Sequence, residues 1–334
     1  MAEDNSGWSL TESDPSVFTA LLTELGVKGL QVEDLWSLED EALKNVGEIK
    51  AFIFLFKYVG GIEESKKAGS PDPDFPGFFA HQVIDNACAT LAILNSVFNL
   101  PLGGQTEDDK IELGAELDNL KEFGHGMDPS TLGYTISNSD KIREVHNSFA
   151  RSDPFSIDSS IPSEPSDAYH FISYLPSLGT LYELDGLQSY PRSHGPVPTK
   201  DDQEWIGRAR EVIQERISSY PMGALEFSLL AVVKDPMSEL RKELKEAEKA
   251  GQEYLIGQVK EKIEEEEAKR KKWAFENSLR KHNHISFAHQ LLLGLAKAGS
   301  LNSAIDSAKL KAKDRKDREI ARKAKAGEKD TEMS

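Results

Sequence analysis

Cys88 is the only cysteine among 334 residues. It lies in the stretch Phe78–Leu100, FFAHQVIDNACATLAILNSVFNL, six residues after Gln82. The residues that follow it, Ala89, Leu91, Ala92, Ile93, Leu94, Val97 and Phe98, predict a buried helix. A thiol in the first turn of such a helix meets unpaired N–H groups and the positive end of the helix dipole. Both favour the thiolate, which is the nucleophilic form. Gln82, beside the same helix start, would donate with the Cys88 N–H to a developing oxyanion. The competing reading is a small core residue, which is what most lone cysteines are. A base elsewhere in the chain would favour the chemical reading.

One appears about eighty residues on. Residues 168–176, AYHFISYLP, and 180–187, TLYELDGL, predict two strands around a turn at Pro176–Gly179. If Pro176 faces Gly179, His170 falls directly opposite Asp185. Opposed side chains have Cβ atoms about 4.5–5.5 Å apart, which suits a carboxylate that orients an imidazole and leaves its other nitrogen free as a base. A slip by one residue would separate the pair. Taken singly, His170 reads as a structural strand histidine and Asp185 as a turn residue before Gly186. Taken together, they read as base and orienter. His81, next to Gln82, is a rival base without an orienter. The order Gln, Cys, His, Asp is that of papain-like cysteine proteases, with Asp where papain has Asn.

Other elements must hold these residues. Asp14-Pro15 opens a helix whose stripe is Val17, Phe18, Leu21, Leu22 and Leu25, closed by Gly26. Residues 51–59, AFIFLFKYV, predict a central strand buried on both faces, and 225–233, LEFSLLAVV, a second. Helices are expected over 108–123, from a Ser139 cap to Phe149, and over 203–220. His146 in the second of these reads as a helix-face residue. Stretches 60–77, 100–107 and 189–202 read as loops. So does 151–167, RSDPFSIDSSIPSEPSD, with three prolines and six serines. Beyond Asp235-Pro236 strands vanish and charge rises, giving domains 1–235, a helical extension 236–308, and a basic tail 309–334. An apolar patch in the extension, from Trp273 to Leu295, must meet the catalytic domain, another copy or a partner. His282, His284 and His289 lack a clear fourth metal ligand.

Composition narrows the function. Acidic residues outnumber basic ones 57 to 40, for a net charge of −17, against general nucleic-acid binding. A single cysteine excludes an internal disulfide and suits a reducing compartment. The opening MAEDNSGWSL carries neither part of a signal peptide, and no apolar run approaches the roughly 18 residues of a membrane span.

The segments FFAHQVIDNACAT, SNSDKIREVHNSFA, DAYHFISYLP and LYELDGL resemble the ubiquitin C-terminal hydrolase family of cysteine proteases. So does the opening GWSLTESDPSVFTALLTELGVKGLQVEDLWSL. RKHNHISFAHQLLLGLA resembles the branch whose C-terminal extension docks on the proteasome. The resemblance implies Cys88 as nucleophile, His170 as general base and proton donor, Asp185 as its orienter and Gln82 in the oxyanion hole. It implies an α+β, papain-like fold: an antiparallel central sheet flanked by helices, followed by an all-α appendage. It also implies that the 151–167 loop crosses the cleft and filters substrates by size. The activity implied is hydrolysis of the peptide or isopeptide bond after the C-terminal glycine of ubiquitin, with no cofactor and no metal. The implied partners are ubiquitin and its conjugates, with a proteasomal ubiquitin receptor or a chromatin-remodelling complex on the extension. No nucleic acid or membrane partner is expected, and the location would be cytoplasm and nucleus. Two other readings stay open: a ubiquitin-binding scaffold inactive until a partner takes its tail, and a hydrolase of another ubiquitin-like protein.

Overall fold

The computed structural model describes residues 7–57, 68–103, 110–149, 169–198, 203–220, 227–282, 284–311 and 313–314. The 151–167 loop and most of the basic tail lie outside the described residues. The chain opens with helix α1 (Pro15–Glu24), strand β1 (Leu30–Asp34), helix α2 (Asp40–Asn45) and strands β2 (Ile49–Lys57) and β3 (Ser70–Pro71). Four helices follow: α3 (Cys88–Val97), α4 (Ala115–Phe123), α5 (Pro129–Asn138) and α6 (Asp140–Ser148). Then come β4 (Tyr169–Ser177), β5 (Thr180–Leu184), β6 (Arg192–Pro196), α7 (Trp205–Ser218) and β7 (Phe227–Lys234). Helices α8 (Pro236–Ala250), α9 (Glu253–Lys281) and α10 (Ile285–Lys297) complete the order.

The strands form one sheet in the order β1-β7-β2-β4-β5-β6-β3, with every neighbouring pair antiparallel. Strand β2 lies inside the sheet, between β7 and β4, and alternates between two cores. Ala51, Ile53 and Leu55 join α1 and α3 on one face. Phe52, Phe54 and Phe56 join Trp205, Ala209, Val212 and Ile213 of α7 on the other. Full burial of Phe52 and Phe54 contributes about 2 kcal/mol each. Ile49 falls on the α7 side despite its odd number because the β2–β7 register shifts between Ile49 and Ala51.

Two stretches read as loop are strand. Arg192–Pro196 pairs with β5, and Ser70–Pro71 pairs with β6. Their Pro, Gly and Ser content conceals them, and tertiary pairing overrides that propensity. The β4–β5 hairpin also differs from expectation. Ser177, not Pro176, closes the turn, opposite Thr180. Leu178 and Gly179 take φ of +46° and +77°, the two left-handed residues of a type I′ hairpin turn. In this register Asp185 lies just past the end of β5, not opposite His170. The shift is by two residues, so both side chains keep the same face.

Three helices start at Asp-Pro. Asp14, Asp128 and Asp235 each accept a hydrogen bond from a first-turn N–H, with Pro at the first helical position. Two compact units result: among the described residues, one holds everything through Lys281 and the other begins at His282. The first unit therefore runs past the 235/236 composition change and includes α8 and α9. Arg270 on α9 donates to Asp235 at 2.5 Å and Gln31 at 2.8 Å, and Arg280 bonds Asp14 at 2.6 Å. Asn277 donates to the Ser16 carbonyl at 2.9 Å. In the second unit α10 buries none of its residues, and Phe287 and Leu291 are exposed.

Candidate active site

Cys88 is the first residue of α3. The chain turns into this helix through Asn86, whose φ of +65° is tolerated by Asn better than by most residues. Asn86 also donates to the Trp8 carbonyl at 3.0 Å. No side chain caps α3, so its first-turn N–H groups have no side-chain acceptor among the described residues. Further along, the helix is pinned by His146. Thr90 donates to His146 Nδ1 at 2.7 Å, and His146 Nε2–H donates to the Ser9 carbonyl at 2.7 Å. Burial pushes the His146 pKa down, against the Ser9 bond, so this ring stays neutral. It is a buried bridge between the N-terminal segment, α3 and α6.

Residues 78–82 run alongside α3, held by side chains in place of a neighbouring strand. Asn99 accepts from the Phe78 N–H and donates to the Phe78 carbonyl, both at 2.7 Å. Asn95 does the same for Ala80, at 2.9 and 3.2 Å. The two asparagines are one helical turn apart and the two bonded residues share one side of an extended segment, so both pairs form together. At its end, Gln82 N–H donates to the Gly186 carbonyl at 2.8 Å. A Cβ on Gly186 would stand 3.1 Å from that nitrogen and 3.3 Å from the Gln82 Cβ, so the glycine permits the approach. Gln82 is thereby tied to both the Cys88 helix and the turn after Asp185. Its Oε1 is buried without a hydrogen-bond partner among the described residues. Such a group costs about 1–3 kcal/mol, a cost characteristic of functional positions.

His170 Nε2 and Asp185 Oδ1 are 2.6 Å apart, and both residues are buried. In the observed register this contact is diagonal across the hairpin. Asp185 is further fixed by the Leu187 N–H at 3.0 Å and Gln188 Nε2 at 3.3 Å. The bond to Nε2 leaves Nδ1 for Cys88, whose side chain hydrogen-bonds with His170. Burial alone would push the His170 pKa down. The bond to Asp185, the bond to Cys88 and the two negative partners outweigh it and raise the value to about 9. Burial would raise Asp185, but the His170 bond and charge hold its carboxyl below the usual range.

The rival His81 has both ring nitrogens occupied, by the Ser130 hydroxyl at 3.0 Å and the Ser189 carbonyl at 3.1 Å. The arrangement thus brings Cys88, His170 and Asp185 together, binds the Gln82 backbone to the turn after Asp185, and ties His81 elsewhere. A thiol, an imidazole and a carboxylate in relay, with a helix start at the thiol, can perform acyl transfer to sulfur. The described residues hold no group of three or more His, Cys, Asp or Glu suited to a metal ion. The sequence reading missed Asn86, Asn95, Asn99 and Gly186. None left a distinct signal, because Asn95 shares α3 with the polar Thr90 and Ser96, and Asn99 lies just past its end.

Known proteins share this arrangement of segments. A family model described as "Ubiquitin carboxyl-terminal hydrolase, family 1" matches residues 8–218, and one described as "Ubiquitin carboxyl-terminal hydrolases" matches residues 256–301. Ubiquitin carboxyl-terminal hydrolase ubh-4 of Caenorhabditis elegans is 39% identical over 316 residues, covering 93% of this chain and 94% of its own. Ubiquitin carboxyl-terminal hydrolase isozyme L5 of Dictyostelium discoideum is 36% identical over 345 residues, covering 92% and 96%. The crystal structure of Trichinella spiralis UCH37 bound to ubiquitin vinyl methyl ester superposes with a TM-score of 0.64 at 32% identity, over 80% of this chain and 99% of that one. With two such relatives matched almost end to end and the family model covering most of the first compact unit, this chain belongs to the ubiquitin carboxyl-terminal hydrolase family.

Proposed function

We propose that this ubiquitinyl hydrolase cleaves the bond after the C-terminal glycine of ubiquitin through Cys88, His170, Asp185 and Gln82. The carrying observation is the buried 2.6 Å bond between His170 and Asp185, with Cys88 bonded to the same imidazole. The proton of Cys88 passes to His170 Nδ1, and sulfur attacks the glycine carbonyl. Asp185 holds the ring and stabilises the imidazolium. The Gln82 side chain and the Cys88 N–H receive the oxyanion. The imidazolium then protonates the departing lysine or peptide amine, and water, deprotonated by the neutral imidazole, releases ubiquitin from the thioester. Each proton transfer in this cycle passes through His170. Ubiquitin as acyl donor is supported by the ubiquitin-derived ligand of the Trichinella relative.

The extension suits a docking role. The exposed apolar residues of α10 fit a protein surface, and we assign that surface to a proteasomal ubiquitin receptor, with a chromatin-remodelling complex as the alternative. A cytoplasmic and nuclear location follows from those partners and from a thiol that needs reducing conditions. No described helix is long and apolar enough to cross a membrane.

The test is release of aminocoumarin from the C-terminus of ubiquitin, with Cys88→Ala alongside. Release by the wild type and none by the variant is expected. Undiminished release by Cys88→Ala would refute the nucleophile. Ubiquitin binding without release would favour the scaffold reading instead.

A further inference from the structure

A buried charged cluster adjoins the His170–Asp185 pair and takes no part in the proposed proton transfers. Glu183 stands two residues before Asp185 on β5 and shares its face. One of its oxygens accepts from Arg216 Nη1 at 2.7 Å, and the other pairs with His194 Nε2 at 3.2 Å. Arg216 Nη1 also reaches the Tyr174 hydroxyl at 3.3 Å. The guanidinium carbon lies 4.5 Å from the centre of the Phe56 ring. Phe56 is the residue directly opposite His170 in the β2–β4 ladder. Its ring meets the imidazole at 86°, with centroids 5.8 Å apart. An unbroken series of contacts therefore leads from Glu183 through Arg216 and Phe56 to His170.

A buried ion pair is a poor source of stability, because desolvation of both charges offsets their attraction. Its presence here calls for another role, and the geometry indicates one. We propose that Arg216, anchored by Glu183, is a positioning residue for His170, fixing the Phe56 ring that sets the plane of the imidazole against Asp185 and Cys88. The inference rests on His170 being the catalytic base. A flat guanidinium stacks on an aromatic face while donating sideways to a carboxylate, which an ammonium does not do. Arg216 also neutralises Glu183, a second carboxylate on the face that holds Asp185, which would otherwise keep only its His194 contact among those described. The groups against the imidazole are Cys88 from α3, Phe56 from β2 and Asp185 from the turn after β5; behind them, Glu183 acts on Asp185, and Arg216 and Tyr220 from α7 and its end lie against Phe56.

The test is the double variant Glu183→Gln/Arg216→Met in the full-length protein. It removes one negative and one positive charge at similar volume, so the net charge facing His170 is unchanged and any effect on its titration reports geometry. Circular dichroism establishes folding. The readouts are kcat and KM for ubiquitin-aminocoumarin, and the pH dependence of Cys88 alkylation by iodoacetamide without ubiquitin. We expect KM within about twofold of wild type, kcat lower by about ten- to a hundredfold, and a lower pH for the upper limb of the alkylation profile. A folded variant with wild-type kcat and profile overturns the proposal. If the double variant does not fold, Arg216→Lys, which keeps the charge pair and loses the flat stack, is measured instead. A reduced kcat at unchanged KM is expected, and a wild-type kcat overturns the proposal. Failure of the underlying reading is separately visible, because activity would then survive His170→Ala.

Discussion

Replacing Asp185 by Asn keeps the shape of the His170 partner and removes its charge. In the wild type the His170 pKa is raised from 6.5 to about 9, which corresponds to about 3 kcal/mol of preference for the imidazolium. That preference survives a burial penalty of opposite sign, and the Asp185 bond is the first of the effects opposing it. Without that charge the opposition to burial is weakened, the Cys88 bond and charge remaining, and the His170 pKa falls. The alkaline limb of the kcat/KM profile for ubiquitin-aminocoumarin, expected near pH 9 in the wild type, should move to lower pH. Turnover at pH 7.5 should drop by about a hundredfold or more, the range of a lost acid–base partner. Stability gives an independent reading with a defined sign. A histidine whose pKa is raised on folding stabilises the protein fully below its unfolded value of 6.5, and that contribution disappears as pH rises through about 9. The melting temperature gap between wild type and Asp185→Asn should therefore be widest near pH 6 and narrow by pH 9.5. At about 2–4 °C per kcal/mol, the narrowing is several degrees. A limb that stays near pH 9 in the variant, or a gap that widens with pH, would refute the reasoning.

Three further outcomes test the framework of the site. Gln82→Ala should lower kcat by about a hundredfold at nearly constant KM, as loss of one oxyanion donor does; an unchanged kcat would remove Gln82 from the mechanism. Asn95→Leu leaves the Ala80 N–H and carbonyl without partners in a buried place and should cost about 2–4 kcal/mol in urea unfolding. Gly133→Ala sets a Cβ 2.2 Å from the His81 carbonyl oxygen, so α5 must shift. Destabilisation by more than about 2 kcal/mol is expected, and a neutral result would mean that the segment ahead of Cys88 yields easily.

The chemistry-bearing residues were legible in the sequence because their types are specific and their neighbours periodic. Cys88 heads an apolar run, and the hairpin around Leu178-Gly179 carries two aromatic-rich strands. The register was not legible. It depends on Leu178 taking a left-handed conformation, which an aliphatic residue seldom does, and the signal points more naturally to the proline and glycine at either end of the turn. The contact between His170 and Asp185 follows anyway, because a two-residue shift preserves the face. Helix α5 was missed although Asp128-Pro129 repeats the start read at Asp14-Pro15. Strand β6 was missed because its residues favour turns and its pairing with β5 is interrupted by a register shift between Thr180 and Tyr182. The asparagine ladder was invisible for a deeper reason: two side chains stand in for a strand, and no periodicity records that.

That ladder divides the site into two mechanical parts. Cys88 and the segment bearing Gln82 belong to α3 and move with it. His170 and Asp185 belong to the hairpin. Among the described residues, one main-chain link joins the parts next to the chemistry, from the Gln82 N–H to the Gly186 carbonyl. Thermal separation of helix and hairpin would therefore lengthen the thiol–imidazole contact while leaving the nucleophile and its oxyanion donor in step. The same separation would expose a single amide proton, that of Gln82, to solvent exchange. Its protection against deuterium is thus a gauge of how firmly the two halves of the catalytic apparatus are closed, readable without any substrate.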